Sequence, residues 1–578
     1  AIYGEKNLQT SFGNNSFFTY IRLPENYKPE RLVAQFPAFL DRYMVNEYKP
    51  TQPSKATSLD LQKITDIHLT SHTDYEAEEN GDIKRVYVFS AIGLFILLIA
   101  CINYMNLSTA RSILRAKEIG IRKVSGAQRK EIIFQFLSES VILAWIAMIT
   151  ASVFTIILIP FLNKVSGQQL QLSILLSPLL IILLLLVPFF VGVISGIYPA
   201  LFMSSFKPVT VLKGFLKVAG GLQLRKVLVI VQFAISIILI ICTGIVFRQM
   251  RYMETKSLGF NREQIITVPY VNDFVMKYDA FRNDLLMNSS IKTTTRSSRI
   301  PTGRLLDEMG ASIASGDSLA PVNTDIKFVF ADQDFIKTYG VKIIVGRDFS
   351  RDFGTDTSSF LINEAAAKAL GFKNMSDVVG RDFGYGGRKG KLIGVFNDFH
   401  FESMHQKIVP LVLLMPNNFG NYGRISLKLS GNIPSAVNTL ESEWKKLLPD
   451  VPFQYSFLDE NFAKLYSAEE KEKTLFTIFA SLSIFIACLG LFGLSAFTIG
   501  QRIKEIGIRK VLGANVGSIV GLLSKDFLKL VIVAAVIAFP IAWMAMNNWL
   551  KDFAYRINIP WWVFILAGII AALIAFIT

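Results

Sequence analysis

Seven stretches of almost unbroken apolar residues divide this chain: Val86–Leu107, Ser140–Leu162, Ile174–Phe202, Val227–Phe247, Thr474–Ile499, Phe527–Trp549 and Trp561–Thr578. A helix rises about 1.5 Å per residue, so about 20 such residues cross a hydrocarbon layer of about 30 Å while closing every backbone hydrogen bond within the segment. Each stretch is therefore predicted to be a membrane-spanning helix, the third long enough to tilt or bend at Pro188. Between the fourth and fifth the rhythm changes. Gln264–Pro269 and Val341–Val345 read as strands, Asn363–Leu370 as a helix, and Gly384–Gly387 and Asn417–Asn421 as turns. The predicted fold class is a multi-pass α-helical membrane protein carrying α+β domains outside the bilayer.

Composition agrees with the pattern. Of 578 residues, 51% are apolar and only 18% charged, with a mean hydropathy of +0.41, outside the range of soluble globular chains. A net charge of +15 would suggest nucleic acid, but the cations cluster in short loops between apolar runs, so the surplus is a topology signal. Arg111, Arg115, Lys117, Arg122, Lys123, Arg129 and Lys130 follow the first span. Lys207, Lys213, Lys217, Arg225 and Lys226 follow the third, and Arg502, Lys504, Arg509, Lys510 and Lys525 the fifth. These loops are assigned to the cytoplasm, which places residues 1–85 and 250–471 outside. Cys101, Cys242 and Cys488 all lie in apolar runs, leaving the polar segments free of cysteine.

The chain also repeats itself. Lys117–Ala127 recurs as Lys504–Ala514, 387 residues later, with Ser125 against Leu512 as the one difference. At the same offset Cys101 meets Cys488 and Glu139 meets Asp526. Each repeat then reads as a span, an external domain and three spans. An opening span and most of the first external domain are expected ahead of residue 1, making eight spans in the parent, and further residues are expected beyond Thr578. The expected divisions are 1–85, the remainder of the first external domain; 86–202, the first three-span membrane domain; and 203–226, a cytoplasmic linker. They continue as 227–249, the span opening the second repeat; 250–471, the second external domain; and 472–578, the second three-span membrane domain.

Within the repeated segment, Ile113, Ala116, Gly120 and Val124 fall at helical spacing, with Lys117, Glu118, Arg122 and Lys123 on the other sides. A short cytoplasmic helix is predicted. Gly126 and Gly513 stop it in the left-handed conformation, and Ile132, Ile133, Phe136 and Leu137 begin the next helix. A basic helix lying on anionic headgroups would serve the same composition. Headgroups do not require the same residue order twice, whereas two copies of one partner do.

These segments resemble the MacB/FtsX-type permeases of ABC transporters, in the duplicated, eight-span subgroup. The resemblance is carried by Lys117–Ala127 and Lys504–Ala514 with their flanking spans. Asp66–Leu69, Gly346–Phe349, Asn363–Ala366 and Gly394–Phe401 also look like these permeases. It implies a permease subunit that receives ATP-driven motion from a cytoplasmic ABC ATPase dimer and passes it to periplasmic core-like domains, for export or extraction of a peptide, drug or lipoprotein. The implied coupling residues are Lys117, Glu118, Gly120, Arg122, Lys123, Gly126 and Ala127, and Lys504, Glu505, Gly507, Arg509, Lys510, Gly513 and Ala514. The implied setting is the bacterial inner membrane and its lipid. A second permease copy and a periplasmic adaptor or outer-membrane partner are compatible with it.

No cofactor is expected in the chain itself, because ATP would bind the partner. The nearest phosphate-loop lookalike, Gly390-Lys391, is followed by Leu392 and has Tyr385 where a glycine is required. Asp382–Gly384 resembles a kinase triplet without the other kinase elements and is assigned to a turn. His68 with His72, and His400 with His405 around Glu402, are expected to pack or hydrogen-bond rather than hold zinc. The central parts of the apolar runs carry no Asp, Glu, Lys, Arg or His, which disfavours ion coupling. Gly192 and Gly196, and Ala487, Gly490 and Gly493, are expected to permit close helix packing. A non-transporting sensor or scaffold keeps the same topology, and a membrane-anchored hydrolase lacks a nucleophile, base and orienter that fall together.

Overall fold

A computed structural model describes residues 18–44, 52–71, 81–112, 115–167, 169–205, 221–315, 318–322, 324–501 and 503–577. The chain forms two compact units, Ala1–Ile92 and Gly93–Thr578. In the first, helices α1 (Pro29–Val33), α2 (Phe36–Tyr43) and α3 (Pro53–Ala56) each open on a proline in the first turn, where its missing N–H costs nothing. Asp41 ties α2 to α3 by accepting from the Ser54 amide at 2.8 Å and the Gln52 side chain at 2.7 Å. His68 lies on α4 (Ile64–Thr70), and His72 lies outside the described residues.

The membrane helices are α5 (Ile83–Ser112), α7 (Arg129–Ser166), α8 (Pro178–Ser204) and α9 (Gly221–Thr255), then α15 (Ser467–Gln501), α17 (Val516–Trp549) and α18 (Trp561–Ile577); α6 and α16, described below, connect two pairs of them. Among the described residues six of these are long and apolar enough to cross a membrane, whereas α18 has only 17 residues. Most run past the apolar stretch that announced them, because polar residues at a helix end continue the same backbone pattern once it emerges into water. The third starts later than its run. Leu172–Leu176 forms a tighter turn, after which Ser177 caps α8 by accepting from the Leu180 amide at 3.4 Å, with Pro178 in the first turn.

Small residues set how closely the helices approach. A Cβ on Gly192 would sit 2.6 Å from the Val141 Cα of α7, and one on Gly196 would sit 2.5 Å from Ser140 Oγ. Gly490 of α15 likewise leaves room for the Asn103 amide of α5, which donates to the Ile486 carbonyl at 2.6 Å. Gln232 and Ser236 of α9 reach the Ala487 carbonyl and Ser483, at 3.4 and 3.2 Å. Phe233, Ile237, Ile241 and Ile245 bury the rest of α9 against α15, α17 and α18.

Between α9 and α15 lies the α+β domain. A four-stranded antiparallel sheet runs β12 (Ser456–Phe457), β1 (Ile265–Pro269), β11 (Arg424–Leu429) and β2 (Ile291–Ser297). Helices α10 (Tyr278–Leu286) and α13 (Ile433–Leu447) pack on it around Trp444. An eight-stranded mixed sheet runs β4 (Ser318–Val322), β3 (Ala311–Ser315), β8 (Asp382–Tyr385), β9 (Arg388–Phe396), β7 (Phe360–Asn363), β10 (Leu411–Leu414) and β5 (Lys327–Phe330), with β6 (Ile343–Gly346) also paired to β9. Helix α11 (Phe335–Tyr339) packs against β2 and β11 of the first sheet, α12 (Glu364–Ala369) is capped by Asn363, and α14 (Leu458–Leu465) leads into α15. The expected strands at 264–269 and 341–345 and the helix at 363–370 occur with ends moved by one or two residues, but of the turn expected over Gly384–Gly387 only Gly386 and Gly387 turn: Asp382–Gly384, also assigned to a turn, is held in β8 by its pairing with β3 and β9. Asp332 fastens the sheets together, accepting from the Arg296 amide at 3.0 Å and from the Thr295 hydroxyl.

Replacing Gly192 with alanine should lower the unfolding midpoint of the detergent-solubilised protein, because Val141 Cα is backbone and cannot give way; overpacking of this kind costs about 1–3 kcal/mol. Gly93→Ala, with nothing within 4 Å of the new Cβ, should leave the midpoint unchanged or slightly raised.

Candidate functional site

The repeated segment folds twice into the same local object. Helix α6 (Ala116–Val124) and helix α16 (Ile503–Val511) each have nine residues. Each is closed by a glycine in the left-handed conformation, Gly126 at φ +100° and Gly513 at φ +90°. The capping bonds are the same. Gly126 and Ala127 donate to the carbonyls of Lys123 and Arg122 at 3.2 and 3.0 Å, and Gly513 and Ala514 to those of Lys510 and Arg509 at 3.2 and 3.0 Å. One turn of helix brings Glu118 to Arg122 at 2.7 Å and Glu505 to Arg509 at 2.8 Å, both pairs half-exposed.

Residues far along the chain give α6 its footing. Ala116, Ile119 and Gly120 of α6 are buried in a cluster with Ile132 and Phe136 of α7 and Ala200 and Met203 of α8. Lys123 Nζ donates to the Ser204 carbonyl at 2.6 Å, satisfying an acceptor at the end of α8, while burial and the nearby Arg129 cation hold its amine below the ordinary lysine range. Arg115 joins Glu139 at 3.0 Å, and this hydrogen-bonded carboxylate pushes its guanidinium further up. Arg122 also donates to Gln135 at 2.6 Å. In α16, Ile503, Gly507, Ile508 and Val511 are exposed, and Leu522 stands where α7 has Gln135. The positions matching Ala200 and Met203 at an offset of 387 lie past residue 578.

The buried side of α6 is corrected by one residue and extended by another. Val124, expected on the apolar face, is 67% exposed, and Ile119 takes its place. Steps of four residues overshoot a 3.6-residue turn, so a 116–120–124 row drifts off the contact, whereas 116–119–120–123 stays centred on it. Ile113 lies outside the described residues. Lys117, Glu118 and Arg122 point to solvent, as do Glu505, Arg509 and Lys510; Ala127 and Ala514 are half-buried beside their glycines. The described part of Lys504 is its backbone within α16. Between the cations, Ile121 and Ile508 are also exposed, so both helices offer solvent an apolar strip flanked by an ion pair.

The second histidine pair sits in the loop after β9, where packing and hydrogen bonding occupy it. His400 meets the Tyr555 ring edge-on at 4.5 Å, and burial with Lys256 nearby pulls its imidazole down to about 4. His405 stacks on Phe553 at 4.4 Å, and Glu402 pairs with Arg304 at 3.3 Å. Sequence spacing gave no hint that the residue 553–557 segment would receive both.

Ile119→Ala should loosen α6 by about 2–5 kcal/mol, read as faster amide hydrogen exchange over residues 116–124, since it empties the centre of a buried cluster.

With this geometry in view, comparison with known proteins identifies the framework. The family described as FtsX-like permease C-terminal matches residues 90–208 and again 477–578, and each match contains one of the two short basic helices. The macrolide export ATP-binding/permease protein MacB of Campylobacter jejuni is 30% identical over 123 residues, covering 21% of this chain and 19% of that one. MacB of Salmonella paratyphi A is 21% identical over 341 residues, covering 55% of this chain and 49% of that one. The chain therefore spans about half, or less, of the length of these curated relatives. The periplasmic region of MacB from Actinobacillus actinomycetemcomitans aligns at 18% identity over 36% of this chain and 94% of that one, with a TM-score of 0.26. Two segments of this chain, each built around the same capped basic helix, are FtsX-like permease segments, and the chain is similar in sequence to the MacB-type ABC transporter permeases.

Proposed function

We propose that this chain is the permease subunit through which a cytoplasmic ABC ATPase moves the α+β domain on the far side of the bacterial inner membrane. ATP is bound and hydrolysed by the partner. α6 and α16 are the receiving surfaces, and motion of α5, α7 and α8, and of α15, α17 and α18, is delivered outside to drive export or extraction of a substrate such as a peptide, drug or lipoprotein. The relatives named above are macrolide exporters by name.

The observation that carries this reading is the duplicated exposed ridge: Ile121 beside the Glu118–Arg122 pair, and Ile508 beside Glu505–Arg509, on helices with the same cap. Two equivalent ridges suit two copies of one partner better than a lipid surface, which needs charge and apolarity but no fixed order. The cationic loops lie on one side of the bundle by the charge rule, and that side is the cytoplasm. A stack of apolar helices held by glycine contacts suits this role, because rigid elements pass on a displacement applied at one end.

The coupled substitution Arg122→Glu with Arg509→Glu should abolish co-purification of an ABC-type ATPase, identified by its phosphate-binding sequence, while the protein remains monodisperse in detergent. Either single reversal should weaken capture in part. Undiminished capture by the double variant, with an unchanged unfolding midpoint, would remove α6 and α16 from the contact.

A further inference from the structure

His405 lies where three elements meet outside the bundle: the loop after β9, the first turn of α15, and the turn at the end of α17. Its Nδ1 is 3.2 Å from the Asp552 carbonyl, and its Nε2 is 3.3 Å from Glu469 Oε1. A carbonyl oxygen only accepts, so Nδ1 must be the donor. A neutral imidazole has one N–H, which would leave the Nε2 lone pair facing a carboxylate. Glu469 is 6% exposed, and a positive charge 3.3 Å away stabilises an ionised carboxylate so far from water. Both demands are met at once when the ring carries a second proton.

We propose that His405 is a proton-operated clasp between the α+β domain and the membrane helices. As imidazolium it binds Glu469 at the root of α15 and the Asp552 carbonyl at the end of α17 together. On losing a proton to water the ring keeps only the Nδ1–H that serves the Asp552 carbonyl, the bare Nε2 lone pair faces the Glu469 carboxylate, and the joint opens.

The surrounding contacts show what the clasp holds. Ala554 and Tyr555 donate backbone N–H groups to the carbonyls of His405 and Met404, at 3.3 and 3.4 Å. The Met404 amide donates to Tyr466 Oη at 2.9 Å. Gln249 of α9 grips the same segment twice, donating to the Tyr555 carbonyl at 2.9 Å and accepting from the Ile557 amide at 3.0 Å. The charged and titratable groups around the ring are distributed over every packed element. On its own loop Glu402 is held by Arg304, and Lys407 follows it. On α15, Glu470 is paired to Lys473, and Glu472 lies one turn beyond Glu469. Lys551, Asp552, Tyr555 and Arg556 belong to the α17–α18 connection, and Lys256 of α9 lies over the Tyr555 ring at 3.8 Å. Glu469 is the carboxylate that meets the ring, and Phe553 and Tyr466 stack beside it.

The sign follows from the charge. A histidine stabilised as a cation adds its contribution fully at pH values below about 6.5, that of the free side chain, and loses it as pH rises through the value it has in the fold. Mild acidity outside the membrane therefore closes the joint and alkalinity opens it. This assignment stands whether or not an ATPase docks on α6 and α16.

The chain has four histidines, so selective ¹⁵N-histidine labelling of the full protein in nanodiscs resolves each ring. At pH 7.5, where a free imidazole is about nine-tenths neutral, both ring nitrogens of His405 should be protonated, while His400 should show one protonated and one bare nitrogen. Assignment comes from His405→Asn, or from a chain in which the other three histidines are replaced. In Glu469→Gln, His405 should become neutral at pH 7.5. Amide exchange at residues 554–557, corrected for the intrinsic rate, should be slow at pH 6 and at least tenfold faster at pH 9 in the parent protein, and fast at both in Glu469→Gln. A bare nitrogen on His405 at pH 7.5, an unchanged ring in Glu469→Gln, or equal protection at pH 6 and 9 would each overturn the proposal.

Discussion

Hydrocarbon offers a peptide group no hydrogen-bond partner, and the layout of this protein follows from that deprivation. Every residue crossing the bilayer must close its backbone bonds inside its own helix, so the chain can turn only at the membrane faces. What lies at those faces is correspondingly dense in chemistry. One side carries α6 and α16 with their cations, and the other carries the α+β domain and the segment from Leu550 to Ile557. Inside the bundle, polar side chains are turned to backbone carbonyls or to one another, as Asn103, Gln232 and the Ser236–Ser483 pair are. Helices that cannot unwind and that touch through glycine backbones suit the transmitting role proposed above.

The two basic helices separate what local sequence dictates from what tertiary context adds. Ion pair, helix length and left-handed glycine cap are the same in both, because all three depend on residues within a few positions of one another. Footing is a tertiary matter, because it depends on what the chain brings alongside: α6 rests on α7 and α8 and is pinned at Ser204. The surface common to both is the outward strip of Ile121 and Ile508 with its flanking pairs, so a partner that reads both copies must read that strip.

Much of this was legible beforehand. Run length marked the spans, identity at a fixed offset marked the repeat, and Gly192, Gly196 and Gly490 lie at close helix contacts as their spacing implied. Helix ends were less legible: Ser177 capping α8 shortened the third run, and polar flanks lengthened most others. The exchange of Val124 for Ile119 on the buried face follows from a fractional turn that a four-residue row ignores. Contacts between residues far apart in the chain left no local signal. Lys123 with Ser204, and His405 with Asp552, are separated by 81 and 147 positions, and only folding reveals them.

The central claim is that both basic helices lie on the face opposite the α+β domain, where an ATPase can reach them. Cysteine accessibility in whole cells tests this most directly, with Cys101, Cys242 and Cys488 first replaced. A membrane-impermeant thiol reagent should label Met276→Cys, at a position 91% exposed on the α+β domain, in intact cells. It should label Lys117→Cys and Lys504→Cys only after permeabilisation. Labelling of either lysine position from outside intact cells would contradict the account.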